Sequence, residues 1–244
     1  MNHTTAIPRA VGVIGLGAMG AGMAQSLRRA GHHVHVHDIR PETAAAFAAE
    51  GGTACATLAD MAAACRIIVS VVVNARQTEA VLFGEGGIAP ALQPGSVFVM
   101  CSTVDPNWSV ALEARLQAQG VHYIDAPISG GAAKAASGQM TMMTAARPEA
   151  YAACEGVLDA MAAKVYRLGD SAGAGSKVKI INQLLAGVHI AAAAEAMALG
   201  LREGVDAAAL YEVITHSAGN SWMFENRMAH VLAGDYTPLS AVDI

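Results

Sequence analysis

No Cys-x-x-Cys pair occurs in this chain. Its four cysteines, Cys55, Cys65, Cys101 and Cys154, are scattered, which predicts reduced, small apolar residues and a cytoplasmic protein rather than a disulfide framework. The amino terminus, Met1-Asn2-His3-Thr4-Thr5, lacks the charged start and apolar centre of a signal peptide. No unbroken apolar run is long enough for a bilayer: Leu184 to Ala194 contains His189 and stops at Glu195, so no membrane partner is expected. Basic residues are not in excess, and the net charge of −5 argues against nucleic acid as a general partner. No internal repeat or low-complexity segment appears beyond an alanine bias. With 244 residues, one or two domains around a large core are expected.

What the chain does have is Val11-Gly12-Val13-Ile14-Gly15-Leu16-Gly17-Ala18-Met19-Gly20. A short β-branched run turns into three spaced glycines, and Met19 to Arg29 then reads as a helix. This is the G-x-G-x-x-G pattern between strand and helix, where it signals a dinucleotide site. Gly15 permits the tight turn, Gly17 lets a pyrophosphate approach the backbone, and Gly20 lets helix and strand pack closely. Leu16, Ala18 and Met19 complete the phosphate cradle, whose N–H groups and helix dipole favour anions. The next strand, His33 to Asp38, ends in an acid 18 residues after Gly20, the place for a carboxylate that binds an adenosine ribose. These features predict NAD as cofactor. His32, His33, His35 and His37 are too one-sided to complete a metal site, so no metal is expected; they read as partly solvated residues beside the adenine pocket.

Residues 10 to 168 alternate short β-rich runs with Ala-rich helical runs. Strands are expected at Ala10–Ile14, His33–Asp38, Arg66–Val72, Ser96–Met100, Val121–Asp125, Met140–Thr144 and Val165–Leu168. Helices are expected at Pro41–Glu50, Leu58–Ala64, Ala75–Leu82, Asn107–Gln119 and Pro148–Met161. This order predicts an α/β Rossmann-type domain over residues 1–169, a doubly wound, mostly parallel sheet with its ligand at the carboxyl ends of the strands. Gly15, Asp38, Asn74 and Ser102-Thr103 fall at those ends, which makes Asn74 and Thr103 further cofactor candidates. Ser176 to about Glu203 has no proline and reads as one long linking helix of roughly 40 Å. It opens an all-α second domain over 170–244, with helices at Asp206–Ser217 and Ser221–Ala233. Gly187 and Ala191–Ala194 would let another helix pack closely, so a homodimer or homotetramer is expected.

Two further stretches carry chemistry. Asp125-Ala126-Pro127-Ile128-Ser129-Gly130-Gly131 leaves a strand and enters a helix. Ser129 with the N–H groups of Gly130 and Gly131 makes either a carboxylate cradle or an ordinary helix start capped by Ser129. In Gly173-x-Gly175-x-x-x-Lys179-x-x-Asn182-Gln183, the helical period puts Lys179, Asn182 and Gln183 on one face. Val178, Ile181 and Leu185 are expected to bury elsewhere. Lys179 would be a base if desolvated or set beside a positive charge; otherwise it is a surface lysine, as Lys177 is expected to be.

Four blocks together resemble the β-hydroxyacid dehydrogenase family, which includes 3-hydroxyisobutyrate and tartronate-semialdehyde-type enzymes. They are Gly15 to Gly20, Cys101-Ser102-Thr103-Val104-Asp105-Pro106, Asp125 to Gly131, and Gly173 to Gln183, in the family's order and covering essentially the whole chain. The resemblance implies NAD-dependent oxidation of a small hydroxy acid. It implies that Ser129, Gly130 and Gly131 bind the substrate, that Lys179 is catalytic and that Thr103 contacts the nicotinamide half of NAD. Asn182 or Gln183 would orient the substrate, although family members usually carry two asparagines there. The family pattern continues past Ala241–Ile244 into a Lys-Asp turn and more helices, so the second domain is expected to be incomplete here. Gln183 to Ile190 and Gly219 to Asn226 resemble the branch that acts on L-threonate, a four-carbon sugar acid. A polar break, Thr215 to Ser221, would supply Asn220 and Ser221 to extra substrate hydroxyls, or else form a turn with Ser221 as a helix cap. Non-catalytic, cofactor-bound relatives and imine reductases would be expected to lack the lysine.

Overall fold

The computed structural model describes residues 8–237; the expectation about Ala241–Ile244 lies outside them. The chain falls into two compact units, the first ending at Lys179 and the second beginning at Ile180.

In the first unit, β1 (Ala10–Ile14), α1 (Gly20–Arg29), β2 (His33–His37) and α2 (Pro41–Ala49) are followed by β3 (Thr53–Ala54), α3 (Leu58–Ala64), β4 (Ile67–Ser70) and α4 (Ala75–Phe83). A short 3₁₀ turn at Ala89–Ala91 leads to β5 (Val97–Met100), α5 (Pro106–Gln117) and β6 (His122–Asp125). These six strands form one sheet in the order β3-β2-β1-β4-β5-β6, and its strand pairs are all parallel. The order reverses between β1 and β4, so a crevice opens at their carboxyl ends, beside Gly15.

Both faces of the sheet are buried, as its alternation dictates. Val11, Val13, Val69 and Val99 face one cluster with Met23 and Leu27 of α1. Ile14, Ile68, Phe98 and Met100 face the other, with Met61, Leu82, Leu112 and Leu116. Cys101 and Cys154 are buried in the first cluster and Cys65 in the second; burial pushes all three thiols up to about 12, which leaves them inert at neutral pH.

The expected single sheet is corrected at its far end. β7 (Ile128–Ser129), α6 (Gly131–Ser137), β8 (Met140–Thr144), α7 (Pro148–Ala153), α8 (Val157–Met161) and β9 (Ala162–Arg167) build a separate three-stranded sheet, β7-β8-β9. β7 runs antiparallel to β8, because the short α6 reverses the chain and a parallel return needs a longer crossover. A bridge between Asp125 and Ala145 joins this sheet to β6. The helix expected over Pro148–Met161 is broken at Gly156, whose φ of 79° is left-handed and cannot continue a helix.

α9 (Ala174–Arg202), a single 29-residue helix, starts in the first unit. By length and composition it would suffice to cross a membrane, which the interrupted run Leu184–Ala194 did not reveal. Its first turns, however, are built into a protein core, with Ser176 and Lys179 both buried. α10 (Ala207–Thr215) and α11 (Trp222–Ala233) complete the second unit. Ala193, Met197, Phe224 and Met228 are its buried core, and Tyr211 stacks on Phe224 with centroids 5.8 Å apart. Asp206 caps α10 through Ala209 N–H, as expected. Val178, Ile181 and Leu185, expected to bury, are 38%, 60% and 52% exposed; none of the described residues covers them fully.

Candidate active site

The glycine turn sits at the carboxyl end of β1. Gly15 has φ 87°, a left-handed value that suits glycine, and a side chain there would press on Val71 O at 2.7 Å. At Gly20 an added Cβ would lie 1.9 Å from Gly15 O, so turn and helix are in backbone contact. Gly17 is different: a Cβ there would meet nothing within 4 Å. The space over Gly17 is open, as the approach of a pyrophosphate to the backbone would require. α1 begins with no side-chain cap at Met19, so its first-turn N–H groups stay available to an anion.

Asp38 is buried just past β2. Its Oδ2 accepts the Leu16 N–H at 2.7 Å, and its Oδ1 accepts Arg40 N–H at 3.0 Å and Arg40 Nε at 3.3 Å. Burial alone would raise its pKa; the backbone N–H groups of Arg40 and Leu16 and the guanidinium outweigh that and hold the carboxyl below its ordinary value. The structure therefore joins two expected cofactor residues directly. Asn74 caps α4 by accepting Gln77 N–H at 3.0 Å. Thr103 is half-buried in the segment after β5, which Ser102 anchors by bonds to Thr78 and to Val72 O.

His32 lies outside β2 and is buried, its Nδ1 accepting Arg9 N–H; it is not the partly solvated residue expected. His37 contacts Cys55 O through Nδ1. Among the described residues no group of His, Cys, Asp and Glu could hold a metal.

Ser129 does not cap the following helix. α6 has Gly130 at its N-cap position and no side-chain cap bond, so the ordinary-helix-start alternative fails. Ser129 is paired instead in β7, opposite Thr141. Gly130 and Gly131, at φ 142° and 75°, turn the chain into a helix start whose N–H groups no side chain satisfies, as a carboxylate cradle requires.

Lys179 is 7% exposed, and burial lowers its pKa from 10.5 to about 8. Lys177, two residues away, is exposed. The two lysines thus differ in exposure, and Lys177 is the surface residue expected. Asn182 and Gln183, three and four residues further along α9, are half-buried, and the Asn182 amide donates to Gln183 Oε1 at 3.4 Å.

The polar break behaves as a capped turn. Ser221 Oγ accepts Phe224 N–H at 3.0 Å. The Asn220 amide donates to Thr215 O and Glu225 Oε1. Ser221 thus caps α11, as the capped-turn alternative expects, while Asn220 Oδ1 is buried with no hydrogen-bond partner among the described residues.

Asp125 is the residue whose role sequence reasoning missed. It is fully buried at the end of β6. Its Oδ2 accepts the N–H groups of Gly173 at 2.9 Å and Ser176 at 3.0 Å, and its Oδ1 accepts the Ser176 hydroxyl at 2.6 Å. Burial raises its pKa despite these bonds. Its signal was an acid at the inner end of an apolar strand, four residues before Ser129.

Comparison with known proteins shows the family of both parts of the chain. The family described as the NAD binding domain of 6-phosphogluconate dehydrogenase matches residues 10–169. The family described as NAD-binding of NADP-dependent 3-hydroxyisobutyrate dehydrogenase matches residues 173–244. The chain is 66% identical over 236 residues to an L-threonate dehydrogenase of Cupriavidus necator, covering 97% of this chain and 80% of that protein. It is 49% identical to an L-threonate dehydrogenase of Haemophilus influenzae, covering 96% and 78%. The crystal structure of a 3-hydroxyisobutyrate dehydrogenase from Salmonella typhimurium superposes with a TM-score of 0.91 at 50% identity, covering 96% of this chain and 82% of that one.

Proposed function

This chain belongs to the β-hydroxyacid dehydrogenase family, the 3-hydroxyisobutyrate dehydrogenase-like enzymes, and from that premise we propose that it oxidises L-threonate with Lys179 as the general base. It is an NAD-dependent dehydrogenase acting on the CH–OH group of a hydroxy acid. The observation that carries the mechanism is the desolvation of Lys179. With a pKa of about 8, about half of it is neutral at pH 8, against about 0.3% for a lysine of ordinary pKa.

The substrate carboxylate rests on Ser129 and the N–H groups of Gly130 and Gly131. Gly15 to Gly20 would hold the pyrophosphate of NAD and Asp38 its ribose, with Asn74 a further cofactor contact and Thr103 at the nicotinamide half. Bound there, NAD would supply the hydride acceptor. Lys179 Nζ takes the hydroxyl proton, and Asn182 or Gln183 orients the substrate. The protein's part is positioning, proton removal and exclusion of water.

The names of the relatives from Cupriavidus and Haemophilus support threonate, and the amides of Asn182 and Gln183 suit a polyhydroxy chain. The name of the Salmonella protein favours a second reading, the methyl-branched 3-hydroxyisobutyrate. NADH formation across a panel of hydroxy acids decides between them. A site built to bond hydroxyls rejects analogues that lack them by large factors, so threonate is expected to give by far the higher kcat/KM. A comparable value for 3-hydroxyisobutyrate would discard the threonate reading. The same assay on Lys179→Ala tests the base.

The enzyme acts in the cytoplasm on this reading, as a homodimer or homotetramer. Leu184, Leu185 and Val188 on α9 are all more than half exposed and form the apolar surface that a second copy would cover. Light scattering at micromolar concentration is expected to report more than one copy; a stable monomer would refute the assembly.

A further inference from the structure

The segment that leads into α9 is held by two buried acids from the Rossmann unit. Asp125 binds Gly173 N–H, Ser176 N–H and the Ser176 hydroxyl. Glu113 of α5, 7% exposed, accepts the Ala172 N–H at 3.2 Å. Burying a carboxylate is costly, and a local Ser, Thr or Asp at position 173 would cap the helix without that cost. Gly173 stands there instead, and the acceptor comes from a different strand.

A tertiary cap does something that a local cap cannot: it fixes where the helix sits. Gly175 confirms the closeness, since a Cβ there would lie 2.4 Å from Met143 O and 3.0 Å from Asp125 O. The first turn of α9 therefore rests directly on the ends of β6 and β8. Ser176 is three residues before Lys179, about 4.5 Å along the helix axis. Asp125 is also four residues before Ser129 in the chain. One carboxylate is thus tied covalently to the substrate loop and by three hydrogen bonds to the helix that carries the lysine.

We infer that Asp125 is a positioning residue, which sets the placement of Lys179 relative to the Ser129–Gly131 cradle by holding the first turn of α9. It acts through the helix and touches neither substrate nor cofactor. The inference rests on the reading of Lys179 as the base.

The test follows the Lys179 side chain by NMR in the full chain, through its ¹³Cε shift as a function of pH, with Lys179→Arg to assign the signal. In the unaltered chain the lysine is expected to titrate near 8. Asp125→Ala releases the turn and hydrates the lysine, so its midpoint should rise toward 10.5 and kcat fall at least tenfold, with KM for NAD within twofold. Asp125→Asn keeps an oxygen for the two backbone N–H groups and an amide for the Ser176 hydroxyl. It should restore the midpoint and most of kcat. An unshifted midpoint in Asp125→Ala would overturn the inference, as would an Asn variant as impaired as the Ala one. If Asp125→Ala does not fold, Ser176→Ala removes one of the three bonds: a smaller rise in midpoint supports the inference, and no rise overturns it. The titration needs no turnover, so a chain that oxidised no hydroxy acid would defeat the functional reading while still deciding this one.

Discussion

Asp38 accepts the backbone N–H of Leu16 at 2.7 Å, so the acid at the end of β2 also holds the glycine turn at the end of β1. One oxygen shapes the phosphate loop, while the other faces Arg40 across a 3.3 Å ion pair. A fixed negative charge there repels a 2′-phosphate, and Arg40, with its side chain 57% exposed, is engaged by the acid rather than offered to a phosphate. kcat/KM with NAD is expected to exceed that with NADP. Asp38→Ala should weaken NAD and narrow the gap, by releasing both Leu16 and Arg40. Equal or better kinetics with NADP in the unaltered chain would contradict this.

The glycines make a paired prediction. Gly20→Ala forces a Cβ to within 1.9 Å of Gly15 O, and the turn must open; a loss of Tm is expected. Gly17→Ala meets no neighbour, so its Tm should be unchanged while NAD affinity falls, because the new methyl takes the space of the pyrophosphate. Calorimetry of both variants, with and without NAD, checks this. Normal NAD binding by Gly17→Ala would move the phosphate site elsewhere.

Lys179 links activity to stability with a definite sign. Its folded pKa, about 8, lies below the unfolded value, so the unfolded state binds the extra proton between the two. Its contribution to stability therefore rises with pH from about 8 to 10.5 and is unfavourable below that range. The penalty at pH 7 is roughly 3 kcal/mol. Lys179→Met should raise Tm at pH 7 while kcat falls by about 10²–10⁴-fold. Lys177→Met should do neither. The pH profile of kcat/KM for hydroxy-acid oxidation should climb through about 8 and lose that limb in Lys179→Met.

Ser221→Ala removes the cap of α11 and should cost about 1 kcal/mol. It should leave the ratio of kcat/KM for threonate over 3-hydroxyisobutyrate unchanged, since the Ser221 oxygen serves as the helix cap by accepting Phe224 N–H. A changed ratio would return Ser221 to the substrate.

Short-range patterns were legible in the sequence because each is a local consequence of backbone geometry. The glycine turn, the alternation of β1 and β2, and Asp206 as a cap all depend on residues a few positions apart. The different exposure of Lys179 and Lys177 was legible for the same reason: helical period separates their faces. What was not legible depends on pairing across the chain. Met140–Thr144 has the composition of any buried strand, and nothing local says that it pairs with Ile128–Ser129 rather than joining the large sheet. Thr53-Ala54 is too short to have a period. Asp125 reads as a strand terminus until Gly173 and Ser176, some 50 residues on, are seen to donate to it. Ser221 was ambiguous because a cap and a ligand-binding hydroxyl look identical before the helix axis is known.

Among the described residues the second unit has a buried core of four side chains, Ala193, Met197, Phe224 and Met228, whereas the Rossmann unit buries a cluster on each face of its sheet. Ordering each backbone residue costs about 1–2 kcal/mol, and so small a core offsets little of that. Amide protons of α10 and α11 should therefore exchange with solvent well before those of β1, β4 and β5, and heating should release the helices while the dinucleotide fold persists. The helical unit then becomes the temperature-limiting part of the enzyme, and whatever covers its exposed apolar residues sets how warm the protein can work.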